Sequence, residues 1–150
     1  MIDDNHWLNL AYDLAKKAQS EDEVPIGAVV VKDGKVIGQG YNKKEQSYSA
    51  TQHAELIALN DASTTQKGWR LIDCTLVVTL EPCIMCLAAC QQARVGRVLY
   101  GAKDPKGGAI SLGYEIHSDL RLNHQLKVDY LQVGDCENIL KMFFQEKRKK

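Results

Sequence analysis

Residues 75–86 read TLVVTLEPCIMC, and they predict a core strand followed by the start of a helix. The first half of this stretch is apolar and β-branched, which predicts a buried strand over 75–80 that stops at the Glu-Pro pair. Residues 83–93 then have helical composition. Cys83 and Cys86 are three positions apart, so on a helical turn their sulfurs face one side. A core strand therefore leads directly into a candidate metal or redox pair at the start of a helix.

The segments on both sides of this stretch alternate between helix and strand signals. Upstream, apolar spacing and the Asp33-Gly34 turn signal predict a helix over 6–19, a hairpin of strands over 26–32 and 35–41, and a helix over 52–60 capped by Thr51. Downstream we expect a strand over 97–100, a Gly-rich irregular segment over 102–126, an edge strand over 127–133 and a last helix capped by Asp135. This alternation predicts an α/β layered sheet in a single continuous domain over 1–150.

The composition excludes several classes of protein. Hydrophobic residues make up 45% of the 150 positions and the formal net charge is zero, which is typical of a globular domain and does not by itself indicate a nucleic-acid partner. No apolar run approaches the roughly 20 residues of a membrane helix. The acidic, polar start of the chain is unlike a secretory signal, so the expected compartment is the cytoplasm. An odd number of cysteines without an export signal argues against a disulfide framework.

A histidine motif provides a third candidate ligand beside the cysteine pair. His53-Ala54-Glu55 also falls just after a loop, where a helix begins. Helix N-termini carry a partial positive charge that favours thiolate over thiol. His53, Cys83 and Cys86 offer three ligands, whereas a structural zinc site normally closes with four protein ligands. One position is therefore left for water, which a zinc ion can ionise near neutral pH.

Glu55 is the candidate proton carrier. It stands two positions from His53, so the two side chains diverge on a regular helix and Glu55 need not be a ligand. A carboxylate at this place can take a proton from water, hand it to a ring nitrogen and later protonate a departing amine. An H-x-E motif followed by P-C-x-x-C is the signature of zinc deaminases. These residues therefore predict a hydrolytic deaminase.

The cysteines allow two other interpretations. A Cys-x-x-Cys pair is often redox-active, but it would then follow a first strand in thioredoxin-like order, and that order is absent here. Cys90 lies four residues after Cys86 and could share its helical face, although a fourth protein ligand would close the site to water. Cys74, Cys90 and Cys136 are more simply interpreted as small buried apolar side chains.

Further stretches extend the pattern along the chain. They read EVPIGAV at 23–29, HAE at 53–55, RLID at 70–73, TLEPCIMC at 79–86, RV at 97–98, YGAKD at 100–104, LNH at 122–124 and FF at 143–144. Together they resemble the bacterial tRNA-specific adenosine deaminases, within the cytidine-deaminase-like superfamily, over nearly the whole chain. The superfamily shares the two zinc motifs, and the flanking stretches favour the tRNA branch.

The resemblance implies a fold, an activity and a set of site residues. The fold would be a three-layer α/β/α sandwich with a central five-stranded mixed sheet, in a homodimer. The activity would be deamination of adenosine to inosine at the wobble position of tRNA, by zinc-bound hydroxide attack at C6 with Glu55 as proton shuttle. One zinc ion per subunit would be held by His53, Cys83 and Cys86. The residues that would contact the anticodon stem-loop are Ile26, Asn42, Ala54, Lys103, Asp104, Lys106, Phe144, Lys147 and Arg148.

Two of these assignments have an ordinary structural alternative. Asn42 follows the second hairpin strand, where Asn often serves a turn, although a carboxamide can also donate to and accept from a nucleoside at once. The basic tail over 147–150 could neutralise phosphates, or it could be solvated behind a terminal helix packed by Phe143 and Phe144.

Two other functions could use the same residues. The first is deamination of a free base or nucleoside, such as guanine, cytosine or cytidine, which would be indifferent to the basic tail. The second is a non-catalytic zinc module that only binds RNA. In that module, replacing Glu55 would change nothing but local stability.

Overall fold

The computed structural model describes residues 3–149. Its elements are helix α1 (Asp4–Ser20), strands β1 (Gly27–Lys32) and β2 (Lys35–Tyr41), helix α2 (Ala54–Gln66), strand β3 (Thr75–Val78), helix α3 (Ile84–Gln92), strand β4 (Arg97–Tyr100), a 3-10 turn (Ile116–Ser118), strand β5 (Lys127–Tyr130) and helix α4 (Gly134–Arg148). Lys150, the last residue of the predicted basic tail, lies outside the described residues, as do the first two residues of the chain.

Over residues 3–149, five strands form one mixed sheet in the order β2-β1-β3-β4-β5. β1 pairs antiparallel with both β2 and β3, whereas β3, β4 and β5 run parallel to one another. A parallel pair needs a crossover connection, and α3 provides it between β3 and β4. The predicted hairpin and the predicted edge position of β5 are both confirmed.

Helices cover both faces of the sheet. Side chains alternate along β1, so that Ala28 and Val30 pack with apolar residues of α2 and α3, while Val29 and Val31 pack with α1. α4 also contacts α1 and therefore lies on that second face. The expected three-layer α/β/α sandwich is thereby confirmed.

Two glycines of β2 allow this strand to approach α2 closely. A Cβ atom at Gly38 would lie 2.5 Å from the carbonyl oxygen of Ala58, and one at Gly40 would lie 2.7 Å from that of Ala54. Interiors are packed too densely to absorb such an overlap without a shift of the helix. The position of α2 on the sheet is therefore set by direct contact with the β2 backbone.

The predicted cap of α2 is wrong. The helix begins at Ala54, two residues later than expected, and Thr51 does not cap it. The N–H group of Ala54 donates instead to the side-chain oxygen of Asn42, at 3.0 Å. A residue distant in sequence thus takes the role that local sequence assigned to Thr51.

The C-terminal end of α2 also differs from its prediction, since it reaches Gln66 rather than residue 60. The hydroxyl groups of Thr64 and Thr65 donate to the carbonyl oxygens of Asn60 and Asp61, each at 3.1 Å. Threonine has a low helix propensity, but here the threonine hydroxyl groups form hydrogen bonds to the preceding turn and the helix continues through them.

The remaining differences are small. Asp135 does not cap α4, which begins at Gly134 and places Asp135 in its first turn, where its charge still favours the helix. β3 and β5 end earlier than predicted, and β1 begins one residue later. None of the five cysteines forms a disulfide bond within residues 3–149. Among the helices of residues 3–149, none combines the length and the hydropathy that crossing a membrane requires.

Candidate functional site

His53, Cys83 and Cys86 converge where α2 and α3 begin. His53 and Cys83 are the residues that precede the two helices, and Cys86 lies in the first turn of α3. His53 Nδ1 is 3.5 Å from Cys86 Sγ and 3.7 Å from Cys83 Sγ. The candidate ligand atoms of all three residues lie within 4.8 Å of one another. The fold thus brings together His53 and the cysteine pair, which lie on two separate segments of the sequence.

The ionisation states of the two sulfurs depend on each other. A hydrogen bond from Cys86 lowers the pKa of Cys83 to about 4, and His53 contributes in the same direction. The same pairing, together with burial, raises the pKa of the Cys86 thiol well above its usual range. The hydrogen bond to Cys83 also raises the pKa of His53. Two sulfurs this close share one negative charge, and both ionise only beside a cation.

The donor set of this cluster suits a zinc ion. Two thiolates and one imidazole are ligands that zinc prefers, and they would fill three of its four tetrahedral positions. Within the described residues Cys90 is not part of the cluster. It is fully buried in the hydrophobic core, and burial raises the pKa of its thiol well above its usual range. The cluster therefore offers three protein ligands, one fewer than a closed structural zinc site.

Glu55 lies beside the cluster in the first turn of α2. The residue is 4% exposed, and burial raises the pKa of its carboxyl group to about 7. The nearby Cys83 acts in the same direction, while His53 and Cys86 oppose it. A carboxyl group with a pKa near neutrality can both accept and donate a proton under physiological conditions.

A cavity of about 550 Å³ opens at His53. This volume is in the range that accommodates a small organic ligand. The wall of the cavity is formed by residues just before β1 and just after β2, by the segment after β4 and by one face of α4. Among the predicted site residues it includes Ile26, Asn42, His53, Lys103, Asp104, Lys106 and Phe144. Residues predicted from separate motifs thus surround one space.

Asn42 combines a structural hydrogen bond with a place in the cavity wall. It is 4% exposed, its Oδ1 accepts the N–H of Ala54, and it also lines the cavity. No hydrogen bond from its amide NH₂ group is found among residues 3–149. With the oxygen already bonded, the amide orientation is fixed, and the NH₂ group is the part that can donate to a ligand.

Asp104 is in the wall, but its side chain stabilises its own loop. Its Oδ1 accepts the N–H groups of Lys106 at 3.3 Å and Gly107 at 3.1 Å. An aspartate that bonds the backbone of the next residues fixes a turn. Direct contact of Asp104 with a ligand stays a prediction.

Three predicted contact residues lie away from this wall. Ala54 is fully buried. Lys147 borders a neighbouring hollow, and its ammonium group donates to Asp22 Oδ1 at 2.8 Å. Arg148 is the exposed last residue of α4. Their roles in substrate binding stay predictions.

The wall also contains charged residues that sequence reasoning missed. Lys44, Glu137 and Lys141 border the cavity, and Lys141 pairs with Glu137 at 3.2 Å. A lysine on a loop or on the exposed face of a helix carries no local signal, because most such charges are simply solvated. Their position at the cavity follows only from the fold, which places α4 and the loop after β2 beside it.

Comparison with known proteins covers almost the whole chain. Residues 2–148 match the MafB19-like deaminase family. A tRNA-specific adenosine deaminase of Streptococcus pyogenes serotype M18 is 46% identical over 97% of this chain and 92% of that relative. A solved structure from a study of A-to-I editing by tRNA:A34 deaminases matches with a TM-score of 0.85 and 41% identity, over 91% of this chain and 99% of that one. The guanine deaminase of Bacillus subtilis matches with a TM-score of 0.67 and 30% identity, over 99% of this chain and 96% of that one.

Proposed function

The chain belongs to the MafB19-like deaminase family and to the tRNA-specific adenosine deaminases, and from that membership we propose that it converts adenosine to inosine at the wobble position of tRNA. The observation that carries this proposal is the 46% identity to such an enzyme over 97% of the chain. The open Cys-Cys-His cluster with a buried carboxyl group beside it supports the reaction type. The reaction replaces the amine at C6 of adenine with oxygen from water and releases ammonia.

His53, Cys83 and Cys86 would hold one zinc ion per subunit. Their convergence within 4.8 Å supports this assignment, as does the preference of zinc for thiolate and imidazole. A zinc ion bound there would act as a Lewis acid that lowers the pKa of a coordinated water to about 7. The two thiolates would balance its charge.

Glu55 would move the protons of the reaction. At its pKa of about 7 the carboxylate can accept a proton from water and deliver it to N1 of adenine. A second transfer through the same group would protonate the amine as it leaves. Burial at 4% exposure keeps bulk water from competing for these protons.

The cavity would receive the adenosine after it leaves the base stack of the anticodon loop. Loop bases are already unpaired, so extruding one is less costly than opening a duplex. Asn42 would donate a hydrogen bond to the nucleoside, and Ile26 and Phe144 would supply apolar contacts. Lys103 and Lys106 would lie close to the phosphates on either side.

We further propose a homodimer that acts in the cytoplasm, where tRNA is processed. An apolar hollow between α2 and α3, lined by Leu56, Leu59 and Ala89 together with the half-exposed Trp69, supports the dimer because it offers surface for a second subunit. Sedimentation analysis of the purified chain tests this assembly.

The experiment that tests the proposed function compares two kinds of substrate. We expect inosine to form in an anticodon stem-loop with adenosine at the wobble position, and no ammonia release from free guanine, cytosine or cytidine. The match to a guanine deaminase makes the free-base arm necessary. Turnover of a free base without editing of the stem-loop would replace the proposed substrate and leave the reaction type intact.

A further inference from the structure

Residues 103–111, here called the rim segment, belong to no helix or strand, and the first four of them border the cavity. The segment contains Lys103 and Lys106, which we assigned to RNA contact. An irregular segment of this length needs contacts from elsewhere in the chain to hold one conformation. Its own turn, closed by Asp104, accounts for only part of that order.

Glu81 supplies contacts that span the rim segment. Its Oε1 accepts the N–H of Asp104 at 3.1 Å and the hydroxyl of Ser111 at 2.6 Å, and its Oε2 accepts the N–H of Ser111 at 2.7 Å. The two bonded residues stand at the beginning and the end of the loop. One carboxylate therefore fixes the distance between its two ends.

The rim segment is shaped to receive this carboxylate. A Cβ atom at Gly108 would overlap the carboxyl group of Glu81, so the segment approaches the side chain with bare backbone. Backbone bonds reinforce the contact, since the N–H of Glu81 donates to the carbonyl oxygen of Ala102 at 2.8 Å and the N–H of Ala109 donates to that of Pro82 at 2.9 Å. The segment and residues 81–82 thus form one connected unit.

Because Glu81 is buried, its carboxylate depends on these hydrogen bonds for its stability. The residue is 2% exposed, and no Lys or Arg pairs with it among the residues that the structure describes. A buried carboxylate is strongly unfavourable unless hydrogen bonds compensate its lost hydration. Three donors from the rim segment provide that compensation here. Releasing the segment would leave the charge without partners.

We propose that Glu81 is a positioning residue that holds the rim segment in the conformation that binds the RNA backbone. The proposal rests on the proposed function, because Lys103 and Lys106 are the groups through which Glu81 acts. Glu81 stands two residues before Cys83 in the chain. The same short segment therefore fixes both a proposed zinc ligand and the RNA-binding rim, which keeps the reacting centre and the substrate backbone in register.

The test measures editing of the anticodon stem-loop by the zinc-loaded enzyme with Glu81→Gln, an exchange that keeps side-chain size but turns one acceptor into a donor. We expect KM for the stem-loop to rise about tenfold, with kcat and zinc content close to those of the unaltered enzyme. Gly108→Ala should act in the same direction, because it displaces the carboxylate from the other side. Ser111→Ala removes a single bond and should have a smaller effect.

Two controls separate positioning from general destabilisation. Gln91 is also buried and holds a different loop through His124, so Gln91→Met should lower thermal stability and leave KM unchanged. In a double-mutant cycle, Glu81→Gln should change KM little once Lys103 and Lys106 are both alanine. An unchanged KM in Glu81→Gln and Gly108→Ala, or full additivity with the lysine variant, would overturn the inference. Failure of the unaltered enzyme to edit the stem-loop would instead overturn the proposed function.

Discussion

Glu55 differs from the three proposed zinc ligands in what surrounds it. The cysteines and His53 face one another, whereas burial dominates the environment of the Glu55 carboxyl and raises its pKa to about 7. A group that binds a metal gains from being fully ionised, while a group that relays protons gains from a pKa near the working pH. This difference supports the proposal that the first three residues bind the metal and that Glu55 carries protons.

Replacing Glu55 with glutamine is expected to abolish turnover without loss of metal. The amide keeps the shape of the side chain but cannot exchange protons, so kcat should fall by about 10²–10⁴-fold. Metal analysis of the purified variant should still give one zinc per subunit. Inosine formation in the stem-loop is the measurement of activity.

Asn42→Asp is the matched control for that substitution, because it alters a cavity residue that carries no proton in the proposed reaction. It should weaken substrate binding more than it lowers kcat. Activity of Glu55→Gln near that of the unaltered enzyme would refute the role of Glu55 and favour a site that only binds zinc and RNA.

At the residue scale, the sequence predicted the cluster but not all that supports it. The spacing of Cys83 and Cys86 follows from helix geometry alone, so their convergence was accessible from the sequence. The bond from Ala54 to Asn42 and the three bonds of Glu81 link residues far apart in the chain. No local pattern reports such bonds, and for this reason sequence reasoning missed them.

At the scale of elements, the contact between β2 and α2 holds the beginning of the helix that bears Glu55. Gly40→Ala should push this helix from the sheet, because the added Cβ would lie 2.7 Å from a carbonyl oxygen. We expect the free energy of unfolding to drop by about 1–3 kcal/mol and stem-loop editing to fall. Chemical denaturation and the inosine assay measure the two effects.

Gly134→Ala is the matched control for this overpacking. Among residues 3–149, apart from its chain neighbours and the adjacent helix backbone, no atom lies within 4 Å of a Cβ built there. Because the residue begins α4, alanine should leave activity unchanged and stability equal or up to about 1 kcal/mol higher. Equal stability of Gly40→Ala and the unaltered protein would show that α2 is not fixed by this contact.

The bounds of the strands and of the hairpin were easier to predict from the sequence than the ends of the helices. β4 has its predicted bounds, because a short apolar run between turn residues has few alternatives. The end of α2 was missed since its Thr side chains bond within the helix, where sequence patterns favour a break. The structure of the irregular segment after β4 could not be predicted from the sequence, because its first part is held by hydrogen bonds to the carboxylate of Glu81, which is distant in the chain.

At the scale of the whole molecule, the formal net charge is zero, so the proposed RNA binding would depend on local clusters of lysine and arginine. The end of α4 is one such cluster, although Lys147 already pairs with Asp22. Exchanging Arg148 and Lys149 for glutamine should flatten the dependence of RNA affinity on salt, by a slope of about one for each phosphate that the tail no longer neutralises. Binding titrations at several salt concentrations measure this slope.

Lys35 provides the control for the replacement of Arg148 and Lys149. It is an exposed lysine at the turn end of the β1–β2 hairpin, opposite the end that borders the cavity. Lys35→Gln should leave the salt slope as it is. Equal slopes for the tail variant and the unaltered protein would show that the tail is solvated and does not touch RNA.

We propose that a zinc centre at His53, Cys83 and Cys86 deaminates the wobble adenosine. The most direct measurement is inosine in the anticodon stem-loop, formed by the enzyme as purified, after removal of metal by a chelator, and after zinc is restored. We predict editing by the first sample, none by the second and recovery in the third. Full editing by the metal-free enzyme, or none by the zinc-loaded one, would contradict the claim.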